Sequence, residues 1–274
     1  MWANVLGSPI AHSLSPVLHR AAYAELGLTE WSYDARECTS EQLADVIGAV
    51  RADPAFGGFS LTMPLKLTAL PLMDDLEPLA ERVGAVNTVV PRDGRLLGAN
   101  TDVPGMVAAL IEAGLNAIER PVVLGAGGSA QAAVAALAAL GAPAVRVAAR
   151  NPQRAQVLTD VARASGIELS VVGWDREAAG ESDLIISAVP AGAADALAPW
   201  IDAWPAPAAL FDLVYAPWPS GLAVAAERAG TRVLGGLDLL VHQAVGQVAL
   251  MTGRQIDVAV LRTAGKRALS QRWP

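Results

Sequence analysis

The amino-acid sequence predicts an α/β protein of two domains, and three observations lead there. The chain is 274 residues long, and domains of roughly 100–200 residues make two the natural division. Short β-branched runs alternate with amphipathic or alanine-rich segments, the pattern of strands covered by helices. From about residue 103 the alternation becomes regular, as in a parallel sheet. The expected division is 1–102 together with 236–274 for one domain, the latter segment packing back on the former, and 103–235 for the other.

The first half opens with a strand ending at Val5–Leu6 and running into the loop Gly7-Ser8-Pro9. Ser15–Pro16 then reads as a helix start, with Ser15 as N-cap and Pro16 in the first turn, and Gly27 closes that helix. Thr39-Ser40-Glu41-Gln42 has the form of a capping box for a second helix. Strands are expected at Gly58–Thr62 and Ala85–Val90, the latter turned by Asp93–Gly94. In the second half they are expected at Pro121–Leu124, Val145–Ala149, Leu169–Val172, Leu184–Ala188 and Ala209–Val214. From Gly236 onward the chain is helical again.

Composition removes several classes of function. The chain is 53% hydrophobic and 17% charged, suited to a packed core and unsuited to disorder. Its mean hydropathy of +0.37 owes much to alanine. The longest apolar stretch, Ala132 to Val145, is interrupted by Gly141 and Pro143 and is too short to span a bilayer. No Lys or Arg precedes Arg20, so no secretory leader is expected and the location is read as cytoplasmic. A single cysteine, Cys38, excludes an internal disulfide and reads as a small packed side chain near a strand end. His12, His19 and His242 stand apart from one another and from Cys38, so no metal is expected. The net charge of −7 and the lack of a basic run argue against nucleic acid. A small molecule is the expected partner; the residues leave the oligomeric state open, a homodimer among the options.

The segment Pro121 to Ala130 is a strand that enters a glycine-rich turn and then a long helix. Gly125 and Gly127 permit the tight turn and close approach of a pyrophosphate, and Ala130 takes the place of the third small residue. Backbone N–H groups across Gly125, Ala126, Gly127, Gly128, Ser129 and Ala130 would hold the phosphates. An ordinary strand–helix turn is the plainer reading, but its placement between a clear strand and a clear helix favours a dinucleotide. An NAD site would put a carboxylate at the end of the next strand, about 20 residues on. That strand instead ends Val147-Ala148-Ala149-Arg150. Arg150 and Arg154 suit a 2′-phosphate, so NADP is the expected cofactor.

Seven motifs in order carry a resemblance that covers essentially the whole chain. Gly7-Ser8-Pro9-Ile10-Ala11-His12-Ser13-Leu14-Ser15-Pro16, with His19, is similar to the signature of shikimate dehydrogenases. Leu61 to Lys66, Gly84 to Thr88, Gly98 to Asp102 with Gly105, Leu124 to Ala130, Phe211 to Pro217 and Leu240 to Gln243 follow in the family's order. The resemblance implies reduction of 3-dehydroshikimate to shikimate with NADPH, a step in aromatic amino acid biosynthesis. It implies Lys66 and Asp102 as the catalytic pair. Chemically, ketone reduction needs a hydride donor and a proton source, and an ammonium oriented by a carboxylate supplies the second. It also implies Ser13, Ser15 and Tyr215 around the substrate carboxylate, with Thr62, Asn87 and Gln243 as hydrogen-bonding residues. Ala188, Val214 and Gly236 complete the expected cofactor site.

The chain departs from the family pattern at several places: the family usually has Asn at the positions of Ser60, Ala149 and Ser187, Met at that of Leu239, and Gly at that of Asp238. These bear on the nicotinamide pocket and on the strictness of NADP use. His12 and His242 flank site residues and are read as structural. Three alternatives stay open: a quinate/shikimate dehydrogenase using NAD, a catalytically silent paralogue that binds shikimate-type ligands, and another two-domain enzyme such as a methylene-tetrahydrofolate dehydrogenase. Arg150 speaks against the first, an intact Lys66–Asp102 pair against the second, and the paired serines against the third.

Overall fold

The computed structural model describes residues 1–151, 155–175, 181–201 and 209–272. The chain divides into two compact units, Met1–Gly105 with Leu240–Pro274, and Met106–Leu239. No described helix is long and apolar enough to cross a membrane.

The first unit begins β1 (Trp2–Gly7), α1 (Ser15–Glu25), β2 (Ser32–Glu37), α2 (Leu43–Val50) and β3 (Phe56–Leu61). It continues α3 (Leu65–Thr68), β4 (Asp75–Leu76), α4 (Pro78–Val83), β5 (Thr88–Arg92), β6 (Arg95–Ala99) and the first turn of α5 (Asp102–Glu112). Its six strands lie in the order β2-β1-β3-β5-β6-β4. β1 runs parallel to β2 and β3, whereas β5 is antiparallel to both β3 and β6. The β5–β6 hairpin turns at Asp93 and Gly94, with φ of 52° and 74°, the doubly left-handed turn for which Asp-Gly is suited.

β3 is buried along its whole length, as a central strand should be. The edge strand β2 buries only Tyr33, which is why its sequence carries no strand-like alternation. Leu6, Leu43, Ile47, Phe56, Phe59, Leu61, Val86 and Val89 form the core on this sheet. Trp2 caps it, its ring 5.3 Å from Phe56 and 5.9 Å from Phe59.

Two helix starts differ from the sequence expectation. Ser15 does not cap α1; it is the first helical residue, and the capping position is Leu14 with no side-chain bond. The Ser13 hydroxyl takes over by accepting the Ser15 N–H at 3.2 Å, a local bond that serine makes readily two residues upstream. At Thr39–Gln42 only the returning half of the capping box forms, Thr39 N–H to Gln42 Oε1 at 3.0 Å, and α2 starts one residue later at Leu43.

The second unit holds the rest of α5 and then β7 (Pro121–Leu124), α6 (Gly128–Ala139), β8 (Ala144–Ala148), α7 (Gln156–Ser165), β9 (Glu168–Val172) and β10 (Leu184–Ser187). After these come α8 (Ala198–Ile201), β11 (Ala209–Asp212), α9 (Gly221–Arg228), β12 (Arg232–Gly235) and the start of α10 (Gly236–Thr252). α10 returns the chain to the first unit, which ends with α11 (Val258–Arg272). The sheet is wholly parallel in the order β12-β11-β10-β7-β8-β9, the doubly wound dinucleotide-binding arrangement. β7, β10 and β11 are buried throughout, as strands covered on both faces must be.

One buried histidine makes the fold sensitive to acid. His19 on α1 is fully buried, stacked on Tyr33 at a ring separation of 3.9 Å. Burial lowers its pKa from 6.5 to about 4, opposed only by a hydrogen bond with Gln247. Between those values the unfolded chain binds a proton that the native state refuses, so stability rises with pH there. His19 therefore contributes stability that is complete above pH 6.5 and is lost as the pH falls toward 4. We expect His19→Gln to flatten the urea-unfolding free energy between pH 6.5 and 4 relative to wild type, by on the order of 3 kcal/mol over the window. Parallel profiles for the two proteins would show that the ring is not held neutral.

Candidate functional site

In the first unit, Lys66 and Asp102 form an ion pair at 2.6 Å, with side chains 14% and 2% exposed. Each partner is placed by its own element. Lys66 lies on the short helix α3, and its carbonyl accepts the Val86 N–H at 2.8 Å. Asp102 opens α5, where the positive end of the helix favours a carboxylate. Asn100 caps that helix, its Oδ1 accepting the N–H groups of Asp102 and Val103 at 3.0 and 3.2 Å. Its Nδ2 donates to the Ala85 carbonyl at 2.8 Å, which fixes the cap to the segment leading into Asn87.

Asn87 is fully buried and its amide is satisfied within the protein. Nδ2 donates to Thr101 Oγ1 at 3.0 Å and to Gln243 Oε1 at 3.1 Å. Oδ1 accepts the Thr88 hydroxyl and the Thr101 N–H, both at 2.8 Å. With Gln243 Oε1 turned to Asn87, the Gln243 NH2 group is the face left for other partners.

The serine loop is anchored on several sides. Ser8 N–H donates to the Met63 carbonyl at 3.0 Å, and Glu37 receives the Ser8 hydroxyl at 2.6 Å and the Ile10 N–H at 3.1 Å. Arg272, the last residue of α11, donates to the His12 carbonyl at 3.3 Å. Ser13 and Ser15 are both buried. A Cβ on Gly7 would collide with the Thr62 methyl, so glycine lets the Thr62–Lys66 segment lie against this loop. His12 is exposed, while His242 is half-buried with its Nε2 3.4 Å from Arg262.

The second unit presents its own site at the carboxyl ends of its strands. Gly125 leaves β7 with φ of 113°, and a Cβ there would lie 2.7 Å from the Ala188 carbonyl at the end of β10. Gly127 precedes α6 in open space, and no side chain caps that helix. The first turn, with Gly128 and Ser129, carries no acidic residue, and Ala130 is fully buried against the fold. Bare N–H groups, positive helix end and absent carboxylates together fit a pyrophosphate. Arg150 is exposed just past β8, where a ribose phosphate would be read. Gly236 donates its N–H to the Val214 carbonyl at 3.0 Å, and a Cβ on it would collide with the Leu213 carbonyl. Tyr215, half-buried, follows Val214 in this unit. Arg154 lies outside the described residues.

The motif reading names Gly105 but gives it, Asn100 and Thr101 no role of their own, although all three lie in or beside the Gly98–Asp102 motif. Gly105 is one turn past Asp102, and a Cβ on it would lie 2.8 Å from Gln243 N and 3.0 Å from Gln243 Cα. Gly246 likewise faces the Thr101 side chain, 3.1 Å from a built Cβ. The spacing of small residues on α5 and α10 is the signal that those helices touch.

The strand order and the bare, glycine-led helix define a dinucleotide-binding domain, and residues 121–209 match the family described as NADP oxidoreductase coenzyme F420-dependent, which gives the class. The flanking regions narrow it. Residues 5–89 match the shikimate dehydrogenase substrate binding domain, and residues 236–264 the shikimate 5'-dehydrogenase C-terminal domain. The shikimate dehydrogenase (NADP(+)) of one Thermus thermophilus strain is 41% identical over 268 residues, covering 97% of both chains. This chain belongs to the shikimate dehydrogenase family. Among solved structures, the Mycobacterium tuberculosis shikimate dehydrogenase is 38% identical with a TM-score of 0.88, over 97% of this chain and 99% of that one. The enzyme of a second Thermus thermophilus strain, in complex with NADP(H) and shikimate, is 37% identical with a TM-score of 0.86, over 98% and 99%.

The helix contact at Gly105 has a measurable consequence. Gly105→Ala sets a methyl against the Gln243 backbone, and α10 must shift to admit it. We expect a loss of about 1–3 kcal/mol in urea unfolding, the usual cost of overpacking. An alanine variant as stable as wild type would show that α5 and α10 do not meet this closely.

Proposed function

We propose that this protein catalyses the reversible NADPH-dependent reduction of the ring ketone of 3-dehydroshikimate to shikimate, with Lys66 and Asp102 handling the proton. The observation that carries the reading is the 2.6 Å pair of a nearly buried ammonium and a buried carboxylate. The cofactor, when bound, supplies the hydride that reaches the carbonyl carbon. The electron pair of the C=O bond then moves onto oxygen, and Lys66 Nζ delivers the proton that makes it an alcohol. Asp102 keeps Nζ in place before and after the transfer. In the oxidative direction the neutral amine takes the hydroxyl proton back. Because the pair is screened from water, its hydrogen bond to a developing alkoxide counts for more than it would in solution.

The ring's carboxylate and hydroxyls need short polar groups, which Ser13, Ser15, Thr62 and Gln243 provide, with Asn87 holding Gln243 and Tyr215 completing the set. Backbone groups of Gly125, Ala126, Gly127, Gly128, Ser129 and Ala130 would take the pyrophosphate, with Ala188, Val214 and Gly236 lining the same strand ends and Arg150 and Arg154 receiving the 2′-phosphate. As an enzyme of small polar metabolites with one buried thiol, Cys38, it is assigned to the cytoplasm.

Lys66→Ala tests the proton role. We expect kcat to fall by about 10²–10⁴ with a much smaller change in shikimate KM, because the ammonium acts chiefly in the transition state. Lys66→Arg should not restore the rate, since a guanidinium is bulky, planar and hardly gives up its proton. Circular dichroism must show the variants folded, as removing one partner of a buried pair also destabilises. A folded Lys66→Ala enzyme with near-normal kcat would reduce Lys66 to a binding residue.

The cofactor assignment is tested separately. Arg150→Ala should raise KM for NADP roughly tenfold or more, the weight of a charge-assisted bond to phosphate, and leave KM for NAD nearly unchanged. Equal use of NADP and NAD by the wild type would overturn this assignment.

A further inference from the structure

One buried amide outside the expected site connects the elements that carry it. Gln247 lies one helical turn beyond Gln243 on α10, on the same face, and is 2% exposed. Its Oε1 accepts the Ser60 hydroxyl at 3.0 Å and meets His19 Nε2 at 3.2 Å. Its Nε2 donates to the Asn87 carbonyl at 3.4 Å.

The direction of each bond is fixed. Tyr33 OH donates to Ser60 Oγ at 2.6 Å, so the Ser60 proton is free to go to Gln247. An amide oxygen only accepts, so His19 carries its proton on Nε2, and its Nδ1 is a buried acceptor without a partner among the described residues. Burial keeps that ring uncharged, so its part here is geometric.

Each bond ends in a different segment of the chain, and each segment holds or adjoins a residue assigned to the substrate. Ser60 is on β3, two residues before Thr62; His19 is on α1, one turn after Ser15; Asn87 leads into β5. The family usually has Asn at position 60; here Ser60 reaches Gln247 with Tyr33 behind it. Burying four polar side chains together does little for net stability compared with apolar packing. What they supply is a defined register between neighbours that apolar side chains would hold loosely.

We propose that Gln247 is a positioning residue for substrate binding. With His19 and Ser60 it sets α10 against α1, β3 and β5, and so fixes where Gln243, Ser15 and Thr62 present their polar atoms. This inference rests on the function proposed above.

The test is steady-state kinetics on the full-length chain with shikimate and NADP. Gln247→Met keeps the length and apolar bulk and removes all three bonds. We expect shikimate KM to rise about tenfold, with kcat and NADP KM within about twofold, because Lys66 and Asp102 are held by other bonds. A purely structural role would lower the melting temperature and the active fraction but leave shikimate KM of the folded enzyme unchanged. Ser60→Ala removes a single donor to Gln247 and should raise the same KM by about two- to fourfold. Should Gln247→Met fail to fold, Ser60→Ala decides: an unchanged shikimate KM overturns the proposal. A wild type inactive with shikimate would overturn the functional reading itself, and this inference with it.

Discussion

The first unit is organised around keeping a charge pair almost out of water. Asp102 is 2% exposed and its ammonium partner 14%, and either charge alone in that place would cost several kcal/mol. The pair survives because both ends are held by structure that has no other evident purpose. Asn100 spends its whole amide on the helix start and on the Ala85 carbonyl. The helix that begins at Asp102 turns its positive end to the carboxylate. The Lys66 carbonyl is tied to Val86, so the lysine arrives from a fixed direction. A buried charge pair thus goes with a fixed local course for the segments around Lys66, Ala85 and Asn100–Asp102.

Small residues do the complementary work of letting backbones approach. Gly7 admits the Thr62 side chain, Gly105 admits the backbone of Gln243, and Gly246 admits Thr101. Each contact brings a polar side chain within reach of the next, so that Asn87, Thr101 and Gln243 share hydrogen bonds instead of each seeking water. Close packing and polar satisfaction are therefore one arrangement here, since a displaced helix would leave buried amides unpaired.

Much of the second unit was legible because it repeats one rule. β7 occupies the expected residues Pro121–Leu124, and β8 to β11 fall within a few residues of expectation; β7, β10 and β11, buried on both faces, read as plain apolar runs. The two edge strands of the first unit escaped for the opposite reason. β2 buries a single residue, Tyr33, and β4 has only two residues, so neither leaves a pattern to find. The capping role given to Ser15 failed because the helix begins one residue earlier, with Ser15 as its first residue and its own N–H accepted by Ser13. Lys66 and Asp102 stood out through their motifs. Gln247 did not, because a glutamine on a helix looks the same in sequence whether it meets solvent or a buried histidine.

The two units use different materials for recognition. At the strand ends of the second, the surface is mainly backbone: Gly125 against Ala188, Gly236 against Val214, and a bare helix start. Such a site is specified by the absence of side chains, and bulk is what harms it. In the first unit the surface is built of amides, hydroxyls and one ion pair, each partnered by another side chain. That site is specified by presence, and truncation is what harms it. The difference follows from the ligands. A pyrophosphate presents the same anionic oxygens wherever it occurs, and N–H groups on a helix end suffice for it. A ring that differs from its relatives by one hydroxyl can be told apart only by placed donors and acceptors, because an unmatched partner is left buried and unpaired. On the proposed function, discrimination among rings would depend on side chains such as Gln243 being held still, and the buried amide network of the first unit is what holds Gln243.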